Sequence, residues 1–161
     1  MSVASMHLLI LVIAANSTPV LLARIMGDRL KQPIDGGRRF VDGRPLLGNS
    51  KTWRGLLGAV IVCAAVAHLL GYTVFFGAAC GALAMLGDLL SSFSKRRLQM
   101  QSSSKAPFID QVPESLLPAL VFKSALALSW MDILLLTVAF TALEVVFSVV
   151  LFRLGIRKHP Y

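Results

Sequence analysis

The chain has 161 residues, of which 56% are hydrophobic, and its formal net charge at pH 7 is +8. Its mean hydropathy is +0.73, and the apolar residues fall in long uninterrupted runs, which excludes an ordinary soluble domain. We predict an integral membrane protein with one transmembrane domain, residues 1–161. Basic residues in membrane proteins collect on the cytoplasmic side, so the charge does not require a nucleic-acid partner.

Five apolar segments are each about long enough to cross a hydrocarbon core near 30 Å thick, the fourth only just. They are residues 3–25, 55–72, 74–91, 116–131 and 133–152. The second and third are joined by a tight turn, and only Asp132 separates the fourth from the fifth. Pro19 should kink the first helix, where Asn16 is expected to satisfy the freed backbone groups. The fold class predicted is all-α, with five transmembrane helices and two long cytoplasmic loops.

Basic residues cluster in the connections 24–54 and 92–115 and in the tail 153–161. The positive-inside rule places these segments in the cytoplasm. We therefore predict a multi-pass protein of the cell membrane with its N-terminus outside and its C-terminus inside. Gly and Ala recur in the second and third helices, and such small residues permit close helix contact either within one bundle or across a homodimer face.

Residues 87–114 place two acidic groups beside lipid, Asp88 on one side of a basic run and Asp110 with Glu114 on the other. Asp88 and Lys95 share one helix face if the third helix continues past its apolar run. A surface ion pair from Asp88 to Lys95 or Arg96 is the simpler interpretation. Two acidic clusters at similar depth instead favour Mg²⁺, which accepts few carboxylates and keeps positions for water and phosphate oxygens.

The first long loop contains DGGRRFVDGRPLLGNSKTWRG, residues 35–55. Its glycines let the backbone approach a ligand, and its cations include Lys51 and Arg54. Lys51 and Thr52 lead into the second helix, whose N-terminus favours anions. The alternatives are a phosphate site and a solvated basic loop that touches lipid headgroups.

Three ordered motifs resemble the CDP-archaeol synthase family, which is related to the CDP-diacylglycerol synthases. They are GNSKTWRGLLGA (48–59), GDLLSSFSKRR (87–97) and PFIDQVPESLL (107–117). The resemblance spans nearly the whole chain and implies a cytidylyltransferase. Its reaction would convert CTP and a lipid phosphate, such as an archaeal-type dialkylglycerol phosphate, into a CDP-lipid and pyrophosphate with Mg²⁺ as cofactor.

The resemblance also implies roles for individual residues. Asp88 and Asp110 would bind magnesium, while Lys51, Lys95 and Arg96 would hold the CTP phosphates. Asp88, Asp110 and Lys95 are thus the expected catalytic residues.

Three further positions complete the expected site. Thr52 is expected to assist with the CTP phosphates, and Arg54 and Lys123 are the candidates for the lipid phosphate. Lys123 also has a structural interpretation, an ion pair with Glu144 deep in the membrane.

The chain departs from the family pattern at one point. The family usually shows a second Asp three residues after the one matched by Asp110, and this chain has Pro113 there. Either Glu114 acts as the metal ligand one position later or the metal site has changed. Pro113 is accordingly the best support for an alternative function, an inactive relative that binds anionic lipid or a partner membrane protein. A small transporter using Lys123 and Glu144 is disfavoured by the long charged loops.

Overall fold

The computed structural model describes the backbone of residues 1–100 and 109–153 and the side chains of residues 1–100 and 109–147. Residues 101–108 of the second loop and residues 154–161 of the basic tail, both predicted to be cytoplasmic, lie outside the described residues. Five helices follow in chain order: α1 Val3–Met26, α2 Trp53–Leu69, α3 Val74–Arg97, α4 Gln111–Val121 and α5 Trp130–Arg153. The prediction of an all-α protein with five helices is confirmed.

Three of the described helices are long and apolar enough to cross a membrane: α1, α3 and residues Trp130–Phe147 of α5. With 17 residues, α2 is about 25 Å long, and α4 with 11 residues is only about 16 Å long. A multi-pass, membrane-embedded bundle follows from these helices. Side chains cap the first three: Ser2, Thr52 and Thr73 each accept a backbone N–H three residues on, which satisfies a donor at the helix start.

The bundle has two distinct ends. At the turn end, formed by the 70–73 and 122–129 connections, the backbone N–H of Ser2 donates to Asp132 at 2.7 Å. The His7 ring also contacts the Tyr72 hydroxyl at 3.2 Å there. The loop end comprises the C-terminal ends of α1 and α3 and the N-terminal ends of α2 and α4. The chemistry-bearing motifs all lie toward the loop end.

The small residues of α2 and α3 pack against each other inside the bundle. A Cβ added at Gly77 would lie 2.8 Å from Ala64 Cα, and one added at Gly81 would lie 2.9 Å from Cys63 Cβ. Both glycines are buried between the two helices. This close contact accounts for the Gly and Ala pattern within one chain, so the pattern provides no support for a homodimer.

The fourth segment differs from its prediction. The helix begins at Gln111, before the predicted start, and ends at Val121, so that residues 122–129 form turns before α5. Ala127 adopts a φ of +48°, and the backbone N–H of Leu128 bonds to the Lys123 carbonyl at 2.8 Å. Hydropathy did not predict the end of α4 because most residues of the turn that follows are apolar as well.

This difference also removes the predicted Lys123–Glu144 ion pair. Lys123 lies in the turn after α4, with Nζ 4.8 Å from the ring centroid of Trp130. Glu144 lies about 21 Å beyond Trp130 along the axis of α5, at about 1.5 Å per residue. Lys123 is therefore at the turn end, where its ammonium makes a cation–π contact.

The first long loop, residues 27–52, is shaped by hydrogen bonds to the buried Asp35 carboxylate. It accepts from the backbone N–H groups of Gly37 and Leu47 at 2.9 Å and of Gly48 at 3.1 Å. Burial raises the pKa of Asp35, but the three donors outweigh it and hold that pKa below its ordinary value. The loop therefore has a defined conformation around one buried charge.

Arg97 holds this loop against the end of α3. Its guanidinium lies 4.9 Å from the ring centroids of both Phe40 and Phe93. The same group pairs with Asp42 and donates to the Pro45 carbonyl at 2.6 Å. A planar guanidinium can stack and hydrogen-bond at once, so one residue fixes the loop at the loop end of the bundle.

Candidate active site

The site begins where α3 and α4 approach most closely, at Gly87. A Cβ there would lie 2.6 Å from the Pro113 carbonyl carbon and 2.7 Å from Glu114 Cα. Only glycine permits this backbone contact. It brings the carboxyl groups of Asp88 and Glu114 close enough to interact electrostatically.

Lys51 meets Asp88 from the loop before α2. Its Nζ lies 2.6 Å from both carboxylate oxygens of Asp88. Burial lowers the pKa of Lys51, but the Asp88 charge outweighs it, with smaller contributions from Glu114 and Asp110, and the pKa rises above its ordinary value. Lys51 is therefore an ammonium ion at neutral pH. Asp88 pairs with Lys51, and the expected surface pair with Lys95 or Arg96 is not the arrangement found.

Asn16 enters the site from α1. Its Nδ2 donates to Oε2 of Glu114, a side chain that is only 4% exposed. The sequence analysis predicted that this amide would satisfy the backbone groups freed by Pro19. In the structure it bonds to Glu114 instead. No local pattern around Asn16 pointed to this role, because its partner lies 98 positions away in the sequence.

A second acid–base pair lies further along α3. Lys95 Nζ is 2.7 Å from Oδ1 of Asp110, and Arg96 is buried and close enough to interact electrostatically with the same carboxylate. The Ser91 hydroxyl reaches the Ile109 carbonyl at 2.7 Å and so ties the start of α4 to α3. The helix α3 continues past its apolar run to Arg97, which is the condition for Asp88 and Lys95 to share one helix face.

The site therefore combines three carboxylates with three cations. The carboxylates come from Asp88, Asp110 and Glu114, and the cations from Lys51, Lys95 and Arg96. Among the described residues, no group of three or more His, Cys, Asp or Glu side chains converges as a ready metal centre. Glu114, which is buried, and Asp88, which is partly buried, nevertheless form an oxygen pair. Two carboxylates in contact require a proton or a cation between them. A hard cation with few protein ligands, such as Mg²⁺, fits that donor set.

A cleft opens beside the Lys51–Asp88 pair. It encloses about 320 Å³, including space open to solvent, between α1, α2, α3 and the first loop. Pro19, Leu56 and Met85 supply apolar walls, while Lys51 and Asp88 supply the charged side. Small-molecule sites commonly combine apolar walls with a few polar groups in this way.

Three candidate residues lie outside this cluster of charges. Thr52 lines the cleft, but its hydroxyl also caps α2. Arg54 donates to the Gly27 carbonyl at 2.7 Å and so closes the end of α1. Lys123 is at the opposite end of the bundle, and the structure does not bring it to the site.

Comparison with known proteins identifies the family of the chain. The family profile described as CarS-like, CDP-archaeol synthase, matches residues 2–161. The chain belongs to the CDP-archaeol synthase family. The resemblance stated from its three motifs is thereby confirmed.

Individual relatives agree with the family assignment. CDP-archaeol synthases from Hyperthermus butylicus and Thermococcus onnurineus are 43% and 41% identical over 108 and 109 residues. These matches cover 62% and 61% of this chain and 60% and 61% of the relatives, so the chain spans about three fifths of the length of those relatives. The Sulfurisphaera tokodaii CDP-archaeol synthase is 35% identical and is covered to 81% by a match that includes 80% of this chain.

A solved structure also matches the fold. It is described as an intramembrane enzyme for archaeal membrane lipids biosynthesis. The two chains are 28% identical with a TM-score of 0.72, and the match covers 87% of this chain and 89% of the other. The arrangement of helices in this CDP-archaeol synthase family member is thus that of an intramembrane enzyme.

Proposed function

We propose that this protein transfers a cytidylyl group from CTP to a membrane lipid phosphate, giving a CDP-lipid and pyrophosphate. The observation that supports this proposal is the partly buried cluster of three carboxylates and three cations, which lies at the loop end of a bundle that belongs to this family. The relatives' name designates CDP-archaeol as product. That name favours an archaeal-type dialkylglycerol phosphate over an acyl lipid as the acceptor.

The chemistry suits these side chains. An oxygen of the lipid phosphate attacks the α-phosphorus of CTP and forms a new P–O bond. The bond from that phosphorus to the bridging oxygen breaks, and pyrophosphate leaves with the electron pair. Because the attacking phosphate is already anionic, catalysis needs positioning and charge neutralisation more than a strong base. Lys51, Lys95 and Arg96 are the groups proposed to bind and orient the CTP phosphates.

Asp88 and Glu114 are the residues proposed to hold Mg²⁺, with Asp110 as the third acidic group of the site. The ion would neutralise charge on the phosphate oxygens and lower the barrier to pyrophosphate departure. The contact between Asp88 and Glu114 supports the substitution of Glu114 for the family's second Asp. It also removes the basis for an inactive relative, which rested on the presence of Pro113.

We propose a cytoplasmic location for the loop end, with the N-terminus outside and the C-terminus inside. The exposed cations of the first loop support this orientation through the positive-inside rule. CTP is a soluble cytoplasmic nucleotide, so a site at this end can receive it while the lipid phosphate remains in the bilayer.

The test is cytidylyl transfer by the full chain purified in detergent, with labelled CTP, Mg²⁺ and separate lipid phosphates. Unsaturated dialkylglycerol phosphate should give CDP-lipid faster than phosphatidate. Asp88→Asn and Asp110→Asn should each lose about 10²-fold or more in turnover, the usual scale for removing one electrostatic contact to a transition state. Asp28→Asn is the matched control, because Asp28 forms only an exposed pair with Lys31.

Two results would contradict the proposal. If no lipid phosphate yields a CDP-lipid, the enzymatic function is wrong. If Asp88→Asn and Asp110→Asn both retain the turnover of Asp28→Asn, the site is assigned to the wrong residues.

A further inference from the structure

Asn16 is the one uncharged side chain that contacts the acidic pair in the described site. It donates from α1 to Oε2 of Glu114, while Lys51 covers both oxygens of Asp88. The two adjacent carboxylates are therefore held in different ways. Asp88 faces an ammonium ion, and Glu114 faces a neutral amide.

The difference matters because two buried carboxylates in contact repel each other. Without an anchor, the Glu114 side chain would turn away from Asp88 into another rotamer. Lys51 already balances one of the two acids, so a second cation on Glu114 would leave the pair no net negative charge to attract a metal ion. An amide hydrogen bond fixes one oxygen without adding positive charge to the site, as residues behind metal ligands commonly do.

The position of Asn16 is itself fixed by close helix contacts. A Cβ at Gly55 would lie 3.1 Å from Pro19 Cβ, so α1 and the start of α2 are in near-backbone contact one turn after Asn16. The same part of α2 follows Lys51 directly. Asn16 on α1 and Lys51 just before α2 are thus held at fixed positions relative to each other. They approach the acidic pair from two adjacent segments.

We propose that Asn16 is a positioning residue whose amide keeps the Glu114 carboxylate directed at Asp88, so that the two acids form a single site for a divalent cation. This inference rests on the proposed function, because it concerns the metal site of that reaction. Asn16 acts through Glu114 and need not touch CTP or lipid.

The experiment measures equilibrium Mn²⁺ binding to the detergent-purified full chain by electron paramagnetic resonance, without nucleotide. Asn16→Leu keeps a similar volume but removes the donor, and Asn16→Gln keeps an amide. Ser17→Ala is the matched control on the same helix. Asn16→Leu should weaken Mn²⁺ binding about 10- to 100-fold, the usual effect of losing a group that orients a metal ligand, and Asn16→Gln should bind more tightly than Asn16→Leu.

Activity provides a second measurement. The Mg²⁺ concentration for half-maximal CDP-lipid formation should rise in Asn16→Leu, while KM for the lipid phosphate stays at the wild-type value. If Asn16→Leu does not purify as a folded protein, Asn16→Ala, which removes the donor without placing an apolar side chain against Glu114, takes its place.

The outcomes separate the two proposals. Equal Mn²⁺ affinity of the wild type and Asn16→Leu, or no Mn²⁺ binding by the wild type, would overturn the role of Asn16. A wild type whose Mn²⁺ affinity depends on Asn16 but which makes no CDP-lipid would instead overturn the proposed function.

Discussion

Gly87→Ala tests whether the close approach of α3 and α4 assembles the site. The added Cβ would lie 2.6 Å from the Pro113 carbonyl carbon, and ordinary contact begins at 3.4 Å. The helices must therefore separate by at least about 0.8 Å at this point, since the Pro113 carbonyl oxygen is nearer still and the atoms in contact are backbone and cannot rotate away. A displacement near 1 Å can cost about 10²-fold in rate, and overpacking costs about 1–3 kcal/mol in the free energy of unfolding.

The assay compares CDP-lipid formation and thermal unfolding in detergent for Gly87→Ala and Gly58→Ala. Gly58 is also a helical glycine at a helix contact, but the atom nearest to its added Cβ is the flexible tip of Leu22. Gly58→Ala should therefore retain most of its turnover, while Gly87→Ala should lose about 10²-fold. Equal turnover of the two variants would refute the argument that Gly87 sets the distance between Asp88 and Glu114.

Two further substitutions test the remaining parts of the structure. Lys123→Ala should lose about 0.5–1 kcal/mol in the free energy of unfolding, because it removes the cation–π contact to Trp130. Its turnover should stay within about twofold of the wild type, as expected for a surface change outside the site. A tenfold loss of turnover at unchanged stability would contradict the placement of Lys123 outside the site. For Asp35, the lowered pKa means that its stabilisation is present above the unfolded pKa and is lost as pH falls through the folded pKa. The unfolding temperatures of wild type and Asp35→Asn should differ at neutral pH and converge at acidic pH, and a gap that is independent of pH would contradict the role of the Asp35 charge.

Hydropathy was sufficient for the helices that face lipid and insufficient for the segment that does not span. The runs that became α1, α3 and α5 each contain a long, predominantly apolar stretch, so burial in lipid predicts them without tertiary information. The fourth run failed because the turn around Lys123 and Ala127 is also largely apolar. Hydropathy measures the preference of side chains for lipid and contains no information about where the backbone reverses direction.

The sequence by itself indicated the family, through the resemblance of three ordered motifs, and the five helices, through composition. It also supplied the acidic and basic residues of the candidate site. Only the tertiary structure decided how the charges pair, with Lys51 on Asp88 and Lys95 on Asp110. It alone placed Glu114 against Asp88 and added Asn16 from α1. Those contacts join residues far apart in the chain, and they depend on helix packing at Gly87 that no local pattern encodes.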